Sequence, residues 1–204
     1  MTGRGRPRGF DRDRALEQAL RVFWEHGYQG ASMTALTSAM GIKSPSLYAA
    51  YGSKEELFRE ALALYAATEG SYTRRALDEQ PTARASVEAA LRDNAAAYTD
   101  PATPRGCLVI LAAPLATPDS ADVADTLARL RTQTCEAIQG RIERGVADGD
   151  LPADTDAARL AAFYATVLNG LSFQARDGAS LTALNTVIDQ AMHCWPEVSP
   201  VPER

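Results

Sequence analysis

The chain has 204 residues, of which 46% are hydrophobic and 23% are charged, as in a globular protein that buries a core. No apolar stretch approaches the roughly 18 residues that a membrane-spanning helix needs, and no apolar segment of a signal peptide follows the basic residues 1–10. Three scattered cysteines and two distant histidines exclude a disulfide framework and a spaced metal-ligand cluster. We therefore expect a cytoplasmic protein with no membrane segment, no metal and no cofactor.

Composition favours helices, and charge separates one end of the chain from the rest. Alanine occurs 38 times and runs of β-branched residues are scarce, which favours helix throughout. Residues 1–54 carry a net charge of +4, whereas the remaining 150 residues carry −9. This asymmetry suggests a polyanionic partner for the basic segment alone.

The first two helices are predicted from residues that begin and end them. Residues 1–9 contain little but Gly, Pro and Arg, so we expect them to be disordered. Asp11 is a candidate N-cap for the first helix, which Gly27 is expected to end. Ser32 is predicted to cap a second, short helix that ends at Gly41.

Two further N-terminal helices follow. Ser44 is predicted to cap the third helix, with Pro45 at its first helical position, where a missing N–H costs nothing. Ser53 is predicted to begin the fourth helix, and Glu56 to complete a capping box with it. This helix is expected to run towards Gly70. Longer helices are then predicted at about 82–98, 106–116, 119–146, 155–176 and 180–194, which makes about nine helices and no strands.

The segment Ser32–Tyr51 predicts two short helices joined by a turn at Gly41. This is the geometry of a helix-turn-helix, which presents its second helix to the major groove of DNA. A simple corner between two helices of a bundle has the same spacing. The spacing alone therefore leaves both interpretations open.

The flanking residues favour the first interpretation. A specific set of residues surrounds and includes this segment: Phe23, Gly27, Tyr28, Met40, Gly41, Ile42, Leu47, Tyr48, Tyr51, Ser53, Lys54, Glu55 and Leu57. With this pattern, residues 10–60 resemble the N-terminal domain of the tetracycline-repressor (TetR/AcrR) family of transcription regulators. Ala50 departs from many members, which carry a phosphate-binding histidine there.

The resemblance implies an all-α chain with a defined order of domains. A disordered basic arm (1–9) precedes a three-helix DNA-binding domain (10–54), whose helix-turn-helix spans 32–51. A fourth helix joins it to a larger helical domain (55–195) for effector binding and dimerisation. Residues 196–204 are expected to form a flexible tail.

The candidate DNA contacts lie in the arm and around the helix-turn-helix. Arginines in the arm alternate with Gly and Pro, a form suited to a narrow minor groove, although a solvated tail is the alternative. The resemblance places Tyr48 and Lys54 at phosphate-contacting positions. Lys43 has the chemistry to donate to guanine. The other candidates are Arg4, Arg6, Arg8, Ser32, Ser44, Pro45, Ser46 and Ala49.

Two further sets of residues follow from the resemblance. The middle helices are expected to enclose a cavity for a small, mostly apolar effector, although ordinary packing is the alternative for each residue. Its candidate lining is Tyr65, Asn94, Tyr98, Cys107, Gln133, Phe163 and Asn169. The last two helices are expected to pair with their copies about a two-fold axis through Val167, Gly170, Leu171, Leu181, Leu184 and Ile188.

The sequence therefore predicts a homodimeric transcriptional regulator with no catalytic activity. Its expected partners are a pseudo-palindromic DNA operator, a small-molecule effector and a second copy of the chain. Repression relieved by the effector is the first hypothesis. The alternatives are an activator on the same fold and a helical ligand-binding protein that does not contact DNA.

Overall fold

The computed structural model describes residues 10–112 and 120–197, and within them the chain is helical with no strand. None of these helices is both long and apolar enough to cross a membrane. A 3₁₀ turn, Glu69–Ser71, follows α4. The α-helices are Arg12–Gly30 (α1), Met33–Met40 (α2), Ser44–Tyr51 (α3), Lys54–Ala67 (α4), Tyr72–Glu79 (α5), Ala83–Tyr98 (α6), Leu108–Leu111 (α7), Ala121–Asp148 (α8), Ala157–Arg176 (α9) and Leu181–Met192 (α10).

Three predicted N-caps are confirmed. The side-chain oxygens of Asp11, Ser32 and Ser53 each accept nearby backbone N–H groups at 3.0–3.1 Å. The reciprocal half of the predicted capping box is absent, because the N–H of Ser53 donates to the carbonyl of Tyr51 at 2.9 Å rather than to Glu56. These ends can be predicted because a cap depends on neighbours in the sequence.

One other predicted helix end needs correction. Lys43, not Ser44, is the N-cap of α3, and no side chain caps that helix, so Pro45 is its second residue. The predicted stop at Gly27 is confirmed: its φ of +69° interrupts the helix, and a separate turn continues to Gly30. A positive φ suits glycine because it lacks a Cβ atom.

Helix α5 is absent from the sequence prediction. It has no side-chain cap at its start, and Ala76 and Leu77 are its only buried residues. Neither the end signals nor a long apolar stripe therefore marked it in the sequence. The predicted helix 106–116 is represented by the four residues of α7, and 113–119 lie outside the described residues.

Buried side chains form two clusters. One packs α1 to α4 against α7 and the start of α8, around Phe23 and Phe58. The other packs α5, α6, α8, α9 and α10 around Tyr164 and Leu171. Cys107 contacts both clusters. We refer to residues 10–67 as the head and to residues 72–197 as the body.

Candidate DNA-binding surface, effector cavity and pairing face

Helix α3 is anchored by one face and exposes the other. Leu47 and Tyr51, four residues apart, are buried against the head, with 0% and 4% of their surface exposed. Tyr48 lies between them and is 51% exposed. The outer face of α3 is therefore open to solvent, and the exposed predicted contacts on it and at its N-cap are Lys43, Ser44, Pro45, Ser46 and Ala49.

Tyr51 fixes α3 against α1. Its hydroxyl donates to the carbonyl of Arg12 at 2.8 Å, and the Arg12 guanidinium lies 4.5 Å from its ring centroid. Arg12 also pairs with Glu60 of α4 at 2.6 Å, and this hydrogen bond raises the pKa of the guanidinium. Tyr51 therefore fixes the orientation of α3 through contacts on its buried face, opposite the exposed one.

Two further predicted contacts lie at helix N-termini. The Lys54 ammonium is 4.5 Å from the ring centroid of Tyr28, and burial lowers its pKa. Ser32 is exposed, and its hydroxyl oxygen accepts the N–H of Ala35, which leaves the hydroxyl proton available to donate. Both positions suit a phosphate. The arm residues Arg4, Arg6 and Arg8 lie outside the described residues.

The head is hydrogen-bonded to the body near the loop that follows α6. The indole N–H of Trp24 donates to the buried carbonyl of Gly106 at 2.9 Å. The same indole packs edge-on against Tyr65 of α4, with ring centroids 4.9 Å apart. Arg21 donates to the carbonyl of Ala102, and Arg176 of α9 donates to that of Glu25. These contacts therefore join α1 to this loop and to α9.

A cavity of about 320 Å³ lies where α4, α5, α6, α8 and α9 meet the segment 107–110. Phe163 was predicted to line this cavity but does not, and 41% of its surface is exposed. The prediction is wrong because α9 is apolar on two faces, and Phe163 does not lie on the one that meets the cavity. A larger groove beside Arg59 is open and lined mostly by charged and polar residues, so it suits an apolar ligand less well. The predicted residues at the cavity are Tyr65, Asn94, Tyr98, Cys107, Gln133 and Asn169.

The polar groups of this cavity make specific contacts. Burial, followed by the charge of the Cys107 side chain, raises the pKa of the Tyr65 and Tyr98 hydroxyls well above its ordinary range. The amide of Asn94 donates to the Thr73 hydroxyl at 2.9 Å. Sequence reasoning missed the cations that line the cavity, Arg74 and Arg131, because neither lies in an apolar segment.

The predicted pairing residues divide into two groups. Leu171, Leu184 and Ile188 are at most 1% exposed and pack inside the body, so they have no surface to offer a partner. Apolar spacing marks a buried face but does not show whether the same chain or a copy covers it. Val167 is half-buried, and Gly170 and Leu181 are exposed. The large apolar side chains exposed on α9 and α10 are Phe163, Phe173, Leu181 and Val187.

Comparison with known proteins identifies the family. Residues 15–61 match the family model "Bacterial regulatory proteins, tetR family", and residues 83–191 match "Tetracyclin repressor-like, C-terminal domain". The chain belongs to the TetR family of transcriptional regulators. It is 37% identical over 199 residues to the HTH-type transcriptional repressor ComR of Escherichia coli, covering 96% of this chain and 93% of ComR.

Two other relatives align with most of the chain. The HTH-type transcriptional repressor BdcR of Escherichia coli is 31% identical, covering 88% of this chain and 86% of BdcR. A cysteine mutant of the TetR-family regulator CifR, complexed with 26-base-pair double-strand operator DNA, is 53% identical, with a TM-score of 0.91. This similarity covers 94% of our chain and 100% of that one.

Proposed function

We propose that this TetR-family chain is a homodimeric repressor that releases its operator when a small, mostly apolar effector occupies the cavity. The observation that carries the proposal is α3, whose buried Leu47 and Tyr51 hold an exposed first turn outward. It acts in the cytoplasm by binding rather than by catalysis.

The proposed DNA contacts divide into two roles. Tyr48, Lys54 and Ser32 contact phosphates and set the position of the head, whereas Lys43 reads a base edge in the major groove. Pro45 and Ala49 offer apolar surface to a thymine methyl group. Ser44 and Ser46 complete this surface, and Arg4, Arg6 and Arg8 follow the adjacent minor groove.

The proposed dimer forms through the exposed faces of α9 and α10. Phe163 and Phe173 are 41% and 53% exposed, and Leu181 and Val187 are 40% and 48% exposed. A two-fold axis brings each such face against its copy, which buries these side chains in the assembly. Two recognition helices are then presented to half-sites about 34 Å apart, or a multiple of that distance.

The proposed release uses contacts shared by the cavity and the head. Tyr65 of α4 both lines the cavity and packs against Trp24, and Cys107 directly follows Gly106, which accepts the Trp24 hydrogen bond. A ligand that displaces Tyr65 or Cys107 therefore moves the head relative to the body. An effector that prefers the moved state by about 1–3 kcal/mol weakens operator binding roughly 5- to 150-fold.

Selection of genomic fragments by the purified chain, followed by footprinting, tests the DNA-binding part. We expect one protected region with two inverted half-sites in a promoter, and less transcription in vitro when the protein is added. Absence of any protected site contradicts the proposal, and a rise in transcription makes the protein an activator. A thermal-shift screen, with hits retested on the operator complex, tests release.

A further inference from the structure

The charged side chains that line the cavity are all positive. Arg74 of α5 and Arg131 of α8 line it, and among the described residues no aspartate or glutamate does so. The rest of this part of the chain is acidic, since residues 55–204 carry a net charge of −9. By contrast, the open groove beside Arg59 mixes both signs, with three acidic side chains in its lining. The cavity is therefore a local cationic site in an acidic domain.

Neither guanidinium is neutralised by a carboxylate of the protein. The described residues form no salt bridge with Arg74 or Arg131. Arg74 is exposed, so water solvates its charge, whereas Arg131 is half-buried. Arg131 donates to the carbonyl of Val109 at 3.2 Å, the upper end of the usual range, and its other N–H groups can donate to a ligand. A partly buried charge without a counter-ion is unfavourable, and an anionic ligand removes that penalty.

We propose that the effector cavity takes a small monocarboxylate with an apolar body and that Arg131 binds its carboxylate; this rests on the proposed effector role of the cavity. The planar guanidinium offers two parallel N–H groups to the two carboxylate oxygens. One negative charge is sufficient, because water already solvates Arg74, which attracts the anion towards the cavity. The apolar body packs against the aliphatic part of the lining, which includes Leu62, Leu77, Ile110 and Leu168.

The size of the cavity limits the length of that apolar body. Its volume of about 320 Å³ is at the lower end of the usual range of roughly 300–1,000 Å³ for ligand sites. This favours a short-chain or single-ring acid over a long-chain fatty acid.

The hydrogen bond to Val109 connects the carboxylate site to the head. Val109 lies in α7 and packs against the hydrophobic cluster of the head. This helix begins two residues after Gly106, which accepts the Trp24 hydrogen bond. A carboxylate competes with the Val109 carbonyl for the Arg131 guanidinium and is the stronger acceptor, because it carries a full charge. Binding therefore weakens a contact between α8 and α7, next to the contacts that join the head to the body.

The test titrates the full chain with straight-chain carboxylates from butanoate to decanoate and with the matching primary amides, by isothermal titration calorimetry. Each amide has nearly the same shape as its carboxylate but no charge. We expect the best-bound carboxylate to bind roughly tenfold or more tighter than its amide. Arg131→Gln should remove this difference. Arg131→Lys should restore only part of it, because an ammonium group does not form the bidentate pair.

Arg129→Gln is the matched control. Arg129 is exposed on the same helix and lines the open groove rather than the cavity, so its loss changes the net charge equally but should leave carboxylate binding unchanged. Arg74→Gln should weaken binding only roughly two- to threefold, because salt screens an exposed charge. Thermal melts show whether each variant is folded. The comparison of carboxylate with amide needs no variant, so it decides the proposal even if Arg131→Gln does not fold.

The outcomes separate the carboxylate site from the proposed release. Amides that bind as tightly as carboxylates, or carboxylate binding that persists in Arg131→Gln, overturn the proposal while leaving an effector cavity for a neutral ligand. Tighter binding by hexyl phosphate than by any carboxylate overturns the choice of anion. In fluorescence anisotropy, the best-bound carboxylate should weaken operator affinity roughly fivefold or more. Carboxylate binding that depends on Arg131 but leaves operator affinity unchanged supports the site and contradicts the release.

Discussion

The head and the body expose different kinds of surface, although each packs its helices around a buried hydrophobic cluster. Of the five large hydrophobic side chains exposed in the described residues, Tyr48 alone belongs to the head, and it carries a hydroxyl group. The other four, Phe163, Phe173, Leu181 and Val187, lie on the last two helices of the body. Hydroxyls and cations suit a polyanion, whereas a cluster of Phe, Leu and Val suits another apolar surface.

This difference indicates how the two regions depend on each other. Each head offers a short helix to DNA, and one such helix covers a single half-site. In the proposed dimer, the apolar face of the body brings a second head to the adjacent half-site. Affinity for the operator is therefore expected to depend on residues far from the DNA as strongly as on those that contact it.

The largest effect is expected from Phe173→Glu combined with Val187→Glu. Each protomer then carries two carboxylates that the proposed interface would bury close to those of its partner. Burial of these charges is costly, so the dimer should dissociate. Operator affinity should then fall more than 100-fold, because the two heads bind independently. Sedimentation measures the mass, and fluorescence anisotropy measures the affinity.

The charge control for that prediction is Thr132→Glu, which adds one carboxylate at an exposed position on α8. It should leave both the dimer and the operator affinity unchanged. If the Phe173 and Val187 variant remains dimeric, α9 and α10 do not form the pairing face.

The next effect concerns the connection between the two regions. Trp24→Phe removes the indole N–H and leaves the buried carbonyl of Gly106 without this donor. We expect the free energy of unfolding to fall by about 1–3 kcal/mol. Urea denaturation measures it. Phe23→Leu is a control that keeps this hydrogen bond, and an unchanged stability in Trp24→Phe means that it does not hold the regions together.

A third prediction separates the two lysines of the head. Lys54→Ala should weaken binding to all DNA sequences by roughly tenfold and reduce the slope of log affinity against log salt by about one. Lys43→Ala should instead change the preference among operator variants. An unchanged salt slope with full affinity removes Lys54 from the interface.

The smallest effects are expected from two tyrosines on the same helix. Tyr51→Phe leaves the Arg12 carbonyl without its donor and should lower stability by about 1 kcal/mol with little change in DNA affinity once folded. Tyr48→Phe should weaken DNA binding several-fold without changing stability, because its hydroxyl is exposed. Parallel melts and binding curves measure both. The reverse pattern would exchange the roles assigned to the two side chains.

Local features of the sequence predicted most of the head. The caps at Asp11, Ser32 and Ser53 and the turn at Gly41 depend on a few neighbouring residues, which the sequence displays directly. The predicted N-cap of α3, Ser44, is one residue late, because Ser44 has the chemistry of a cap but its side chain does not cap the helix.

The body is harder to predict, because contacts between residues far apart in the sequence decide which of its apolar side chains are buried. Phe163 and Leu171 both lie on apolar faces of α9, yet the first is exposed and the second is 1% exposed. Periodicity identifies such faces but does not say which element covers each of them. The sequence predicts cavity residues as polar or aromatic groups within apolar segments, and a cationic lining residue such as Arg131 does not fit that pattern.

The central claim is that two copies of the chain place their α3 helices on one symmetric operator. The most direct test selects binding sequences from a random DNA pool and then measures the mass of the protein–DNA complex. We predict an enriched sequence with two inverted half-sites, centred about 10–10.5 base pairs apart or a multiple of that. Two copies of the chain should bind it, and Lys43→Ala combined with Lys54→Ala should abolish the enrichment. A single asymmetric site bound by one copy, or no enrichment at all, would contradict the claim.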